Sequence, residues 1–272
     1  MRHLLNAALA AADAAARVHR EWSGRIRSEE AREKTSASDF VSQVDLEAQE
    51  AAVSRIRAHF PDHRILAEEG DDEAGRIEAA RGGGPVWIID PLDGTTNFLH
   101  GYPAYGSSVG LVHDGEPIVG AVVSPATSER WWAARGQGAY RNGERIRTSK
   151  TTELRYALVG TGFPFKLLDR LDEYVAQFAR VLPASSGVRR GGSAALDLCL
   201  LAQGSLDVFW ELELSPWDIA GGLAILQEAG GAFRRVGGAP LDPLTKGSVL
   251  AANSLPLLDA LDRRLCSPTP AG

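Results

Sequence analysis

One stretch restricts this chain more than any other: Val86-Trp87-Ile88-Ile89-Asp90-Pro91-Leu92-Asp93-Gly94-Thr95-Thr96-Asn97-Phe98. Its four consecutive apolar residues predict a buried strand, which must have other elements packed around it. The run ends on a carboxylate, a proline, a second carboxylate and a glycine. Pro91 fixes its own φ and carries no N–H, so the strand is expected to stop there and the chain to turn. That turn lets the Asp90 and Asp93 carboxylates converge on one point. Gly94 permits close approach of backbone to a ligand, and Asp93 or Thr95 is expected to cap the helical turn that follows. Free amides at a helix start suit a phosphate group. Hard oxygen donors beside such a cradle imply Mg²⁺ or Mn²⁺ bridging protein and phosphate ester.

The rest of the chain supplies the packing partners. Apolar residues at helical spacing predict an opening helix over residues 4–22 and a second over 44–59 that buries Ala48, Ala52, Val53 and Ile56 and ends at Pro61. Between them, Ser23 to Ser38 is charged and reads as a loop. Ile65 to Glu69 predicts a short strand delivering carboxylates, followed by a polar stretch from Gly70 to Gly84. Because neighbouring strand residues point to opposite faces, only one of Glu68 and Glu69 is expected to face the site.

Four further strands are expected at 107–112, 117–123, 130–134 and 138–141, with Asp114-Gly115 and Asn142-Gly143 as hairpin turns. Strands in succession predict an antiparallel sheet. Beyond Lys150 the pattern alternates strand and helix. The strands are expected at 157–161, 206–210, 232–236 and 248–252, and the helices at 168–181, 193–203, from Ser215 and at 256–265. The division expected is residues 1–150 as an N-terminal α+β half carrying the main carboxylate motifs, and 151–272 as a C-terminal α/β half.

At 272 residues the chain is long enough to bury a large core, and its net charge of −6 argues against a nucleic-acid face. The Ala- and Leu-rich start is interrupted by Asp13 and lacks the pattern of a signal peptide, so no membrane association and a cytoplasmic location are expected. Cys199 and Cys266 are too few for a disulfide framework, and Cys199 reads as a buried small hydrophobe.

The central string, Leu66-Ala67-Glu68-Glu69 upstream, and Trp217-Asp218-Ile219-Ala220-Gly221-Gly222 with Glu228-Ala229-Gly230-Gly231 downstream together resemble the inositol monophosphatase family of Mg²⁺-dependent, lithium-sensitive phosphomonoesterases. The resemblance spans nearly the whole chain. It departs at Ala67, where glycine is common, and at Gly70, where serine or threonine is common. It implies a layered α-β-α-β-α sandwich, an α/β fold with an antiparallel sheet in the first half and a mixed sheet in the second, usually assembled as a homodimer. It also implies two to three Mg²⁺ ions, with Mn²⁺ as a substitute, held by Glu68, Asp90, the carbonyl of Leu92, Asp93 and Asp218. Thr95 would orient the attacking water and Asp45 would accept a hydrogen bond from the threonine hydroxyl. Asp93, Gly94, Thr95, Gly192, Ser193, Ala194, Glu211 and Asp218 would bind substrate, Glu211 through ring hydroxyls. Lys34 would belong to a mobile loop near the metals.

The chemistry is consistent with that set. A phosphate monoester resists hydrolysis because water is a weak nucleophile, the phosphoryl group is anionic and the alkoxide is a poor leaving group; divalent cations address all three. The expected activity is hydrolysis of myo-inositol 1-phosphate, a small-molecule phosphate monoester. Fructose-1,6-bisphosphatase, 3'-phosphoadenosine nucleotidase and histidinol-phosphatase are rivals within the same chemistry, and a catalytically silent phosphate-binding regulator is the rival of another class.

Overall fold

The computed structural model describes residues 1–23, 32–33, 40–41, 43–165 and 167–267. Alanine sets the first layer. Helix α1 (Arg2–Trp22) lies on α2 (Gln43–His59) with Ala8, Ala11, Ala12 and Ala15 fully buried among Ala48, Ala52 and Ile56. Side chains this small let the helices approach closely and leave the larger apolar residues for the sheet beneath. Two short strands, β1 (Arg32–Glu33) and β2 (Phe40–Val41), pair antiparallel between these helices in sequence. Lys34 and most of the expected 23–38 loop lie outside the described residues.

Seven strands form the first sheet in chain order: β3 (Arg64–Ala67), β4 (Val86–Asp93), β5 (Gly106–His113), β6 (Glu116–Ser124), β7 (Glu129–Ala134), β8 (Gly138–Arg141) and β9 (Glu144–Ile146). The sheet is mixed rather than wholly antiparallel as expected, because β3 and β4 run parallel. A parallel pair needs a crossover. The crossover is α3 (Glu73–Ala80), inside the segment read as a polar stretch; Asp72 caps it by accepting from the Gly75 amide at 3.1 Å. The β5–β6 and β8–β9 hairpins turn on Asp114-Gly115 and Asn142-Gly143, all four residues at positive φ. Those are the mirror-image turns that match strand twist.

Strand β4 does not stop at Pro91. It runs on to Asp93 through a register shift between Asp90 and Asp93 against β5. At that irregularity the missing proline N–H costs no ladder bond, which is why the strand tolerates it. The short helix α4 (Thr95–Leu99) follows with Gly94 as its N-cap, and no side chain caps it, contrary to the expectation for Asp93 or Thr95.

The second sheet has the order β11-β10-β12-β14-β13, built from β10 (Leu158–Thr161), β11 (Gly187–Arg189), β12 (Val208–Leu214), β13 (Ala232–Arg234) and β14 (Gly247–Ala252). Strands β10, β11 and β12 are parallel, and β14 is antiparallel to β12 and β13. The helices between them are α5 (Leu171–Val181), α6 (Ala194–Ala202) and α7 (Pro216–Ala229), and α8 (Leu255–Cys266) follows β14.

Alternation along β4 fixes the stacking. Trp87 and Ile89 face α1 and α2, whereas Val86 and Ile88 face Trp217 and Ala220 of α7. Helices α6 and α7 fill the space between the two sheets, and α5 and α8 cover the far face of the second sheet through Tyr174, Val181, Leu257 and Leu261. The result is the five-layer α-β-α-β-α sandwich. Among the described residues, no helix is long and apolar enough to cross a membrane.

Glycine brings α7 against the sheet. A Cβ on Gly120 of β6 would lie 2.2 Å from the Gly221 carbonyl, and one on Gly221 would lie 2.5 Å from Ser108 Oγ. On the other side, a Cβ on Gly222 would meet Leu198 of α6 at 2.7 Å. The Gly221-Gly222 pair therefore lets the helix sit between sheet and neighbour, and this approach carries Asp218 at its N-terminal end to the end of β4.

Candidate active site

The ends of β4, β12 and α7 and the N-termini of α4 and α6 surround one cleft of about 600 Å³. Asp90 is almost fully buried at its base, with Oδ1 accepting from the Leu92 amide at 3.0 Å. Asp93, past the register shift, accepts on Oδ2 from Ser193 Oγ at 2.6 Å and from the Ala195 amide at 2.7 Å. Ser193 caps α6 and also accepts from the Leu196 amide. Asp218 accepts from the Ser215 amide at 2.6 Å, so one of its oxygens closes the first turn of α7. One carboxylate oxygen from each of Asp90, Asp93 and Asp218 lies within 4.8 Å of the others.

Such a cluster repels itself. Burial pushes the Asp90 carboxyl well above the usual range, and Glu68, Asp93 and Asp218 push it further. Asp93 is raised to about 7 by burial and by Asp218, against the opposing pull of its hydrogen bonds from Ser193 and Ala195 and of the Arg190 charge. Three carboxylates held this close fit a divalent cation, because hard oxygen ligands at this spacing relieve their repulsion by sharing positive charge, as they also do by taking up protons.

Glu68 belongs to the same group of charges, as its effect on Asp90 records. It does not sit on a strand: β3 ends at Ala67, and Glu68 leaves a bend where its amide donates to the Ile89 carbonyl at 3.1 Å. Strand alternation therefore no longer separates it from Glu69, and both line the cleft. Thr95 Oγ1 lies 3.0 Å from Asp45 Oδ1 and 2.9 Å from the Leu92 carbonyl. Asp45 is buried in the first turn of α2, fifty positions away in sequence. With a single proton to donate, the Thr95 hydroxyl keeps lone pairs free to accept.

Gly94 at φ +88° lets the chain pass the Ala104 carbonyl, which a Cβ would approach to 2.7 Å. Gly192, Ser193 and Ala194 form the opposite wall. Glu211, expected at a strand end, lies within β12, which continues to Leu214 past a register shift. Its carboxyl packs on Gly162, where a Cβ would sit 2.0 Å away, and burial with Asp218 and other acids raises it well above its ordinary value.

Several cleft residues escaped the reading of the sequence. Asp197 is buried on α6 and raised by burial and by Asp93; a lone acid in the apolar run Ala194-Ala195-Leu196-Asp197-Leu198 was the available signal. Arg190 stands over the Phe163 and Phe165 rings at 5.2 and 5.7 Å, and nothing in its own neighbourhood in sequence announced those rings. Arg76 and Lys246 complete the basic side chains of the lining, three against nine acidic ones among the described residues. That excess repels an anionic substrate unless cations are bound with it.

The sequence model of the inositol monophosphatase family matches residues 1–268. The chain is 40% identical over 257 residues to the Nus factor SuhB of Pseudomonas aeruginosa, covering 93% of each. It is likewise 40% identical to a fructose-1,6-bisphosphatase/inositol-1-monophosphatase of Aquifex aeolicus over 253 residues, 93% of this chain and 92% of that one. Among solved structures, an inositol monophosphatase from Anabaena superposes with a TM-score of 0.85 at 36% identity, covering 99% of this chain and 98% of the other.

Proposed function

The chain belongs to the inositol monophosphatase family and is a phosphatase of the metal-dependent kind, and on that premise we propose that it hydrolyses myo-inositol 1-phosphate with Mg²⁺ as its cofactor. The observation that carries the metal part of the reading is the convergence of the Asp90, Asp93 and Asp218 carboxylates on one point. In this reading Glu68, Asp90 and the Leu92 carbonyl would hold one ion, Asp90, Asp93 and Asp218 would hold a second, and Glu68 would assist a third. Bound there, such ions neutralise phosphate charge and acidify water near neutral pH.

The chain's own groups do the rest. Thr95 accepts a hydrogen bond from the attacking water while its own hydroxyl donates one to Asp45 or the Leu92 carbonyl, the two oxygens in reach. The amides of Gly94 and Thr95, at the first turn of α4 where helix N–H groups lack internal partners, receive phosphate oxygens. Asp93 is tied to Ser193 and Ala195, so the wall that holds the alcohol moves as one piece with a metal ligand. Gly192, Ser193 and Ala194 shape the side on which the alcohol lies, and Glu211 bonds its hydroxyls.

Relatives of similar identity carry different names, a Nus factor in one case and a dual fructose-1,6-bisphosphatase/inositol-1-monophosphatase in another. The inositol ester is favoured here because Glu211 offers a carboxyl to a polyol ring at the cleft wall. We further propose a cytoplasmic homodimer, to be checked by light scattering of the purified protein. Phosphate release from inositol 1-phosphate, fructose 1,6-bisphosphate, 3'-phosphoadenosine 5'-phosphate and histidinol phosphate, with Mg²⁺, with Mn²⁺ and with EDTA, tests the proposal. Inositol 1-phosphate should give the highest kcat/KM, EDTA should abolish turnover, and Asp90→Asn should remove most of it with the fold intact. Full activity of Asp90→Asn at saturating Mg²⁺ would sink the metal assignment.

A further inference from the structure

The guanidinium of Arg76 does more than line the cleft. Its Nε donates to the Asp71 carbonyl at 2.9 Å, Nη1 donates to the Ala67 carbonyl, and Nη2 donates to the carbonyls of Glu68 at 3.1 Å and Gly70 at 3.0 Å. One side chain thus gathers four carbonyls from the five-residue segment around Glu68. The Glu68 amide is already fixed to Ile89 of β4. With its N–H held by a strand and its C=O held by Arg76, Glu68 has both flanking peptide planes pinned, which sets the direction in which its side chain leaves the backbone. The same guanidinium lies 5.9 Å from the Trp217 ring centroid, and Trp217 directly precedes Asp218. Arg76 therefore connects the segment bearing Glu68 to the helix start bearing Asp218, two parts of the chain that β3 and α7 bring together from opposite ends of the sequence.

We infer that Arg76 is a positioning residue that holds Glu68 in place for the cation it shares with Asp90, and so sets the affinity for that ion. The inference rests on the reading of Glu68 as a metal ligand. Arginine is required because its planar fork offers five donors at fixed angles, whereas a lysine ammonium is a point charge that cannot reach four carbonyls at once. Groups that orient metal ligands without touching the ion typically contribute roughly 10- to 100-fold to its affinity. The helix that delivers Arg76 is the crossover α3, so the connection between the two parallel strands also supports the site.

Mn²⁺ titration of the metal-free full-length protein, with free ion counted by electron paramagnetic resonance, tests this on wild type, Arg76→Lys and Glu68→Gln. Glu68→Gln should weaken or lose one ion. Arg76→Lys should weaken the same ion by roughly 10- to 100-fold with an unchanged far-ultraviolet circular dichroism spectrum. A wild-type isotherm for Arg76→Lys beside a weakened Glu68→Gln overturns the inference and leaves Glu68 as a ligand. A wild-type isotherm for Glu68→Gln overturns the reading of Glu68, and the role of Arg76 with it. Where Arg76→Lys loses the native spectrum, Arg76→Ala with added methylguanidinium replaces it: recovery of Mn²⁺ affinity on adding the guanidinium upholds the role, and no recovery rejects it.

Discussion

Replacing Asp93 by asparagine should stabilise the metal-free protein while destroying its site. Burial and Asp218 raise the Asp93 carboxyl from 3.8 to about 7. A raised carboxyl binds its proton more tightly in the fold than in the unfolded chain. Its stabilising contribution is therefore complete below 3.8 and is lost as pH rises through about 7. The difference is about three pKa units at about 1.4 kcal/mol each, so ionised Asp93 costs the fold up to about 4 kcal/mol at pH 8. That is an upper value, because the cleft leaves part of the side chain in water. Asparagine carries no charge and still offers an acceptor oxygen to Ser193 Oγ and the Ala195 amide. Urea unfolding in EDTA should then show Asp93→Asn more stable than wild type at pH 8, with the gap nearly closed at pH 4. Saturating Mg²⁺ should reverse the order, since wild type gains the binding energy of the ion and the variant does not. Equal stabilities in EDTA at pH 8, or a gap independent of pH, would refute the claim that the cluster is held under repulsion.

Other consequences follow from the same geometry. His19 is buried against the paired Phe98 and Tyr105 rings, its Nε2 donates to the Pro91 carbonyl at 2.9 Å, and burial lowers it to about 4. A lowered histidine withholds stability as pH falls from its unfolded value of 6.5, so the margin of wild type over His19→Leu in urea should shrink by about 3 kcal/mol between pH 7 and pH 4. Thr95→Ala should lower kcat by roughly 100-fold with KM and Mn²⁺ affinity little changed, and Thr95→Ser should restore most of the loss; an equal change in KM would place Thr95 in binding instead. Gly120→Ala forces a methyl to 2.2 Å from the Gly221 carbonyl, and should cost about 3 kcal/mol in thermal or urea unfolding. A neutral result there would mean that α7 is free to shift away from the sheet.

What could be read in the sequence were features whose physics is local. Four apolar residues before Asp90 make a buried strand wherever they stand, Asn142-Gly143 makes a mirror-image turn by its φ preferences, and Ala48, Ala52 and Ile56 mark a helix face by spacing alone. Asp90, Asp93 and Asp218, whose carboxylates converge in the structure, could be grouped because three motifs appear together, and their resemblance to a family brought distant segments into one set, whereas Asp197 escaped it. Local rules failed where a neighbour in space overruled them. Pro91 was expected to end β4, yet the strand continues because the register shift makes no demand on the missing N–H. Helix α3 was invisible because it is short, carries Gly75 and has little apolar surface; its cap at Asp72 and the hold of Arg76 on the preceding loop sustain it.

The sequence by itself determined which groups carry charge, which runs must be buried and where the chain can turn, since those depend on each residue and its close neighbours. Only the tertiary structure decided that Ser193 meets Asp93 and that Arg76 gathers the carbonyls around Glu68, whereas the Asp45–Thr95 contact was already implied by the family resemblance. The physical reason is that a hydrogen bond or a shifted carboxyl is a property of distance. The distance from Asp218 to Asp90 and Asp93, for one, is set by how closely α7 packs between two sheets, a quantity fixed by glycines in strands and helix together rather than by any one segment.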